Sequence, residues 1–168
     1  MKSYRLRINS VDHTVTVPDD ERLLWMLRDD LGMTGTKPGC DGDVCGCCMV
    51  LLDGQPTLAC QTTVAAVAGR AITTIEGIAA TAHDGTIMLH PVQQAFLDAQ
   101  ASQCGWCLGA QVLSTIALLN DNPTPSETAI NQAMDRVYCR CAVYGRIRVA
   151  IRRAAESASG SSAGGAAV

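Results

Sequence analysis

Fifteen residues, Thr34 to Cys48 (TGTKPGCDGDVCGCC), constrain this chain more than any other stretch, because they hold four cysteines and four glycines. Cys60 follows after an apolar run. Cys40, Cys45 and Cys48 together read C-x4-C-x2-C, with Cys60 as a distant fourth, which is the plant-type [2Fe–2S] ligand spacing. A compact Fe2S2 unit needs four thiolates converging on it, three from one tight loop and one from an adjoining strand. Backbone N–H groups aimed at the sulfur atoms help to set its potential. Such a loop turns sharply, and Gly35, Gly39, Gly42 and Gly46 supply the backbone freedom, positive φ included. Cys47 is left over. Adjacent residues point apart, so it fits no register in which Cys45 and Cys48 are both ligands, and it reads as a packed thiol that behaves as a small hydrophobe.

The rest of the composition narrows the function class. At 168 residues the chain has room for one ordinary domain or two small ones. It is 48% hydrophobic but only 4% aromatic, so its core must be aliphatic. A net charge of −3 and the lack of any Lys/Arg-rich run give no electrostatic case for nucleic acid. No stretch reaches the ~18 apolar residues of a membrane span, so no membrane insertion is expected. The start, MKSYRLRINS, is charged and alternating rather than apolar. The expectation is no secretory signal and a cytoplasmic location. The alternative is the periplasmic face of the inner membrane, reached by export alongside a signal-bearing partner. Nine cysteines cannot all pair within one chain, and their C-x2-C and C-x-C clustering favours metal or cluster ligation. There is no nucleophile–base set, G-x-G-x-x-G, P-loop or H-E-x-x-H. No catalytic residue is therefore expected here, which favours an electron relay over a self-contained catalyst.

Residues 2–9 alternate with Tyr4, Leu6 and Ile8 on one face and predict a strand. A turn over Asn9 to His13 and a second arm over His13 to Val17 complete a hairpin. Asp19 or Asp20 is expected to cap a helix carrying Leu23, Leu24, Leu27 and Leu31, which Gly32 ends. Met49 to Leu52 predicts a buried strand, Asp53-Gly54 a hairpin turn, Pro56 to Ala59 the return, and Ala71 to Ile75 another strand. Met26, Met33 and Met49 read as core fillers. Gly77 to Leu89 reads as a linker. Beyond it, helices are expected from Pro91, over Leu108 to Leu119 (apolar nearly all round), from Ser126 to Met134, and over Tyr144 to Ala155. Residues 156–168 are of low complexity and read as a flexible tail.

Cys104-Gly-Trp-Cys107 and Cys139-Arg-Cys141 form a second four-thiol set, each pair just before a helix. Helix N-termini carry partial positive charge and free N–H groups, which favour thiolates. On spacing alone this set suits zinc as well as a cluster. Trp106 between two of these cysteines reads as a shield against water. Arg140, Arg146, Arg148, Arg152 and Arg153 read as a solvated face. His13, His83 and His90 are scattered and are expected to serve solvent or helix-end roles.

With both sets in view, the chain resembles the small iron–sulfur subunit of the molybdenum hydroxylases, the group of xanthine dehydrogenase, carbon monoxide dehydrogenase and the aldehyde oxidoreductases. The resemblance rests on TGTKPGC-x4-C-x2-C with Cys60, QCGWC at 103–107 and CRC at 139–141, and covers about residues 2–155. The run CRCAVYGRIRVAI and Gln111 look most like the isoquinoline 1-oxidoreductase alpha-subunit type. The family implies an α+β fold: a plant-ferredoxin-like β-grasp domain (1–77), a linker (78–89), a four-helix bundle (90–155) and the tail (156–168). It implies two [2Fe–2S] clusters, one on Cys40, Cys45, Cys48 and Cys60, the other on Cys104, Cys107, Cys139 and Cys141. The second would lie nearer a molybdenum-pterin cofactor held by a large partner subunit. Gln103 matches a pterin-contacting position, and Cys141 matches the ligand beside the pterin amino group. The first would pass electrons on to a third subunit, a cytochrome c or flavoprotein, or to a quinone chain. The complex would oxidise an aldehyde or an N-heterocycle. Leu108-Gly109-Ala110 and Ala142-Val143 depart from the family's usual flanking residues without removing a ligand. The alternatives are a free-standing soluble ferredoxin-type carrier, against which the apolar 108–119 helix and Gln103 count, and a zinc-stabilised scaffold.

Overall fold

The alternation of polar and apolar residues at the N-terminus becomes an antiparallel hairpin. Strands β1 (Lys2–Ile8) and β2 (Val11–Val17) pair from Lys2↔Val17 to Ile8↔Val11. Tyr4, Leu6, Ile8, Val15 and Val17 are buried. The computed structural model describes residues 1–40 and 42–160. The hairpin turn is tighter than expected, two residues with φ of 51° at Asn9 and 66° at Ser10, the left-handed geometry that matches strand twist. Asn9 is fixed there by its side chain. Its Oδ1 accepts the Thr74 N–H (2.9 Å) and its Nδ2 donates to Thr74 Oγ1 (3.0 Å).

The next helix differs from expectation in its cap and its pitch. It opens as one α-turn, α1 (Leu23–Trp25), and continues as a π-helical turn over Met26–Asp30. Arg22 stands at the cap without a side-chain bond, and Asp19 instead accepts the Tyr4 hydroxyl at 2.5 Å. Gly32, with φ of 66°, ends the element as predicted.

Strands β3 (Met49–Leu52), β4 (Gln55–Leu58) and β5 (Ala71–Thr73) complete a five-stranded mixed sheet of order β2-β1-β5-β3-β4. β5 runs parallel to β1 and antiparallel to β3. A short helix, α2 (Val64–Val67), capped by Thr63, bridges β4 and β5. All four residues of β3 are buried, and the reason is the period of two along a strand. Val50 and Leu52 face an N-terminal core with Leu6, Leu23, Leu27 and Ile72. Met49 and Leu51 face a second core with Phe96, Leu113, Ile130 and Ile147. One strand thus serves two cores.

The second core belongs to four helices: α3 (Pro91–Asp98), α4 (Leu108–Asp121), α5 (Glu127–Met134) and α6 (Tyr144–Gly160). A 3-10 turn (Ile75–Gly77) leads into the segment expected as a linker, which itself forms a hairpin of β6 (Ala80–Thr81) with β7 (Ile87–Met88). α3 starts in a capping box, where His90 Nδ1 accepts the Val92 N–H (3.2 Å) and Gln93 Oε1 accepts the His90 N–H (3.0 Å). The nearly all-apolar α4 packs against β3 and the other three helices. α6 runs past Ala155 to Gly160, into the stretch expected as a tail; the rest of that stretch, 161–168, lies outside the described residues. Arg148 donates to Asn131 (2.8 Å) and Arg152 pairs with Glu127 (2.7 Å), exposed ties between α6 and α5. Among the described residues no helix is long and apolar enough to cross a membrane. The whole is a mixed α+β fold.

Candidate metal centres

The first cysteine loop is held from below by polar ties. Arg28 Nη1 donates to the carbonyls of Thr34 and Thr36, both at 2.9 Å. Within the loop, backbone amides point at sulfur: the Cys45 N–H donates to Cys40 Sγ (3.4 Å) and the Cys47 N–H to Cys45 Sγ (3.5 Å). The amides of Cys45, Val44 and Gly42 bring the exposed Cys40 thiol down to about 7, the response expected of a thiolate given N–H donors. Burial pushes the Cys48 thiol up to about 12, and Cys60 approaches it with both side chain and amide. A Cβ on Gly39 would sit 2.8 Å from Cys45 Sγ, so any larger residue there would push that thiol aside.

Strand alternation sorts the last two cysteines of the loop. Cys48 joins the face of Val50 and Leu52, whereas Cys47 joins that of Met49 and Leu51 and looks toward the helices. Cys47 is buried, its thiol 3.9 Å from the carbonyls of Cys45 and Tyr138, and burial lifts it to about 12.

The second set is assembled by helix starts. Cys107 is the residue before α4, and the 139–141 turn leads into α6. Cys104 is exposed and held below the usual thiol range, first by the Trp106 amide, whereas burial pushes Cys107 to about 12. Three residues that spacing did not single out for this task position the turn, two through their side chains and one through its backbone amide. Gln111, 1% exposed, donates from Nε2 to the Val137 carbonyl (3.0 Å). The Tyr144 hydroxyl accepts the Cys139 N–H (2.7 Å), and the Tyr138 N–H reaches across to the Cys45 carbonyl (2.8 Å). Gln111 appeared in the sequence only as a subfamily marker, and Tyr144 only as a residue of the run CRCAVYGRIRVAI and the start of an expected helix. Tyr138 carried none. Gln103 is exposed and lines one pocket with Cys104, Cys107, Gln111, Cys139 and Cys141. Gln111 Oε1 is buried without a hydrogen bond.

All nine cysteines are free. Among the described residues no three of the His, Cys, Asp and Glu side chains form a group able to hold one metal ion. The thiols meet instead in pairs: Cys40 with Cys45, Cys48 with Cys60, Cys104 with Cys141, and Cys107 with Cys139. Pairs suit a two-iron unit, in which each iron takes two protein ligands. The donor chemistry therefore fits [2Fe–2S] in both sets.

The two sets also abut. Gly46 has φ of 68°, and a Cβ on it would fall 1.9 Å from the Arg136 carbonyl oxygen. Trp106 is half-exposed rather than packed as a core residue, and its Nε1–H donates to the Pro38 carbonyl at 2.6 Å.

Comparison with known proteins agrees with this geometry. Residues 6–65 match the 2Fe-2S iron–sulfur cluster binding domain family, and residues 74–152 match the [2Fe-2S] binding domain family. The alpha subunit of the isoquinoline 1-oxidoreductase of Brevundimonas diminuta is 41% identical over 143 residues, 85% of this chain and 90% of that one. The chain belongs to the small iron–sulfur subunits of the molybdenum hydroxylases. The small FeS subunit of the nicotinate dehydrogenase of Eubacterium barkeri is 38% identical over 151 residues, 90% of this chain and 93% of its own. The crystal structure of quinoline 2-oxidoreductase from Pseudomonas putida superposes with a TM-score of 0.85 at 33% identity, covering 94% of this chain and 95% of that one. The aldehyde oxidoreductase of Desulfovibrio desulfuricans superposes with a TM-score of 0.87 at 34% identity, but this chain spans only 17% of that longer one. Two matched [2Fe-2S] domains mean two [2Fe–2S] clusters, and the role of this small chain is electron transfer within an oxidoreductase.

Proposed function

We propose that Cys40, Cys45, Cys48 and Cys60 hold one [2Fe–2S] cluster and Cys104, Cys107, Cys139 and Cys141 the other, in a complex that oxidises an aldehyde or an N-heterocycle. Clusters so bound take up and release electrons singly. The observation that carries this reading is the hydrogen bond from Tyr138, the residue before Cys139, to the carbonyl of Cys45. It joins a ligand of one set to the neighbour of a ligand of the other.

In this reading the domains are a β-grasp unit over 1–77, a connection over 78–89, and a four-helix bundle over 90–155, a division that the presence of two cores supports. The helical set faces a large molybdenum-pterin subunit. Gln103 and Cys141 share the wall of one pocket, which supports placing the pterin at that end. The first set lies toward the acceptor, a cytochrome c or flavoprotein subunit, with the exposed Cys40 on the outer side. Within this scheme the chain's own residues do three things. They aim amides at sulfur, they bury the inner thiols, and they fix one loop against the other.

The test is purification of the native complex with metal analysis. About four iron and four sulfide per copy of this chain are expected, together with a molybdenum-containing large subunit. Zinc in place of iron, or a chain that runs alone as a monomer in native extract, would overturn the proposal.

A further inference from the structure

We propose that Trp106 is a positioning residue that clamps the first cysteine loop onto the second and fixes the separation of the two sets. The proposal rests on the reading of both sets as cluster ligands. Trp106 lies between Cys104 and Cys107, while its Nε1–H donates at 2.6 Å to the carbonyl of Pro38, in the loop that carries Cys40. Lys37, next to Pro38, holds its ammonium 5.7 Å from the centre of the indole ring, within the range of a cation–π contact. The ring thus binds the first loop twice, through its edge and through its face.

The need for such a clamp is visible in the space between the loops. A cavity of about 280 Å³ separates Gly39, Cys45 and Cys47 from Cys104, Cys107, Tyr138 and Arg140. Trp106 forms part of its wall. The bond from the Tyr138 N–H to the Cys45 carbonyl spans the junction at one point, and the indole bond to Pro38 spans it at a second. The Tyr138 amide, the Cys47 thiol on the Tyr138 carbonyl and the close approach of Gly46 to Arg136 all join residues 45–47 to 136–138 and leave the stretch before Cys40 free to pivot, whereas the bond to Pro38 fixes that stretch too. A ring serving only as a shield would need no N–H partner, and at 47% exposure the indole has water available instead.

The separation matters because electron tunnelling falls steeply with distance. Cys104, Cys107, Cys139 and Cys141 would hold the cluster that gives up one electron and is oxidised, and Cys40, Cys45, Cys48 and Cys60 the cluster that would take it up and be reduced. No bond forms or breaks and no proton moves.

The experiment uses the whole complex carrying Trp106→Phe, which keeps the ring and removes the donor. Both clusters are expected to load, each with its own electron paramagnetic resonance signal. The magnetic splitting between the two reduced clusters should weaken. Hydrogen exchange in the segments 37–45 and 136–141 should rise roughly two- to tenfold, the effect of losing one hydrogen bond. Splitting and exchange both equal to the wild type, with both clusters present, overturn the clamp. Trp106→His returns a ring donor. If Phe fails to load and His loads, the donor is required. If both fail alike, ring volume rather than the N–H is what counts, and the proposal falls. A wild-type complex that never shows two signals refutes the cluster reading itself, a result distinct from any of these.

Discussion

The two cysteine sets hold similar thiols by different means. The first is largely local: three of its four cysteines share one glycine-rich loop, and the fourth stands in the turn just after the adjoining β-hairpin. The second is wholly tertiary, since α4 and α5 separate its two pairs. In both, an exposed outer thiol is held low by amides, Cys40 and Cys104, while an inner one is driven to about 12 by burial, Cys48 and Cys107. Similar electrostatics thus arise from a turn in one case and from helix packing in the other. The first set depends on backbone conformation, and the second depends on the helices staying docked.

The largest disturbance should come where the two meet. Gly46→Ala places a methyl group on the Arg136 carbonyl and imposes positive φ on a non-glycine residue. The combined cost is about 3 kcal/mol. Denaturant titration of the loaded subunit should show that loss, together with reduced iron in both sets. Unchanged stability would mean that the close approach of the loops is not required.

A smaller effect tests the division between the faces of the strand. Cys47→Ser should retain both clusters, because Cys47 looks toward the helices and away from Cys48. The buried hydroxyl costs about 1–3 kcal/mol. Two resolved resonance signals would bear this out, and loss of the signal of the first set would make Cys47 a ligand.

The smallest effect separates the two halves by pH. Burial lowers the pKa of His90 from its usual 6.5, and its Nδ1 must stay unprotonated to cap α3. Folding therefore favours the neutral ring. Its contribution is complete above about pH 7 and is lost as pH falls below about 6.5 toward the depressed folded value. Hydrogen exchange should show α3 loosening in mild acid by less than ~1 kcal/mol, since solvent screens the half-exposed ring, with β1 and β2 unaffected. His90→Asn, which offers an acceptor that does not titrate, should flatten the profile.

Local rules made much of the fold legible in the sequence. Alternation marked β1 and β2, the Asp53-Gly54 pair marked its hairpin, and Pro91 and Ser126 marked helix starts that the structure keeps. Where a tertiary partner displaced the local one, the reading failed. Asp19 was expected to cap α1 and instead takes the Tyr4 hydroxyl. The 78–89 segment carries too short a pattern to announce β6 and β7, which pair only with each other.

The amino-acid order alone settled the number of thiols, their spacing along the chain, and the glycine-rich loop that carries Cys40, Cys45 and Cys48. These are properties of spacing and of backbone freedom, which neighbours in the chain settle among themselves. How the two sets stand to one another was decided in the folded molecule. That rests on β3 burying both faces, on the Tyr138 amide meeting the Cys45 carbonyl, on Gly46 lying against Arg136, and on the Trp106 indole reaching Pro38. The last three of these contacts leave no periodic trace, because each ends on a backbone carbonyl, a group that every residue type possesses.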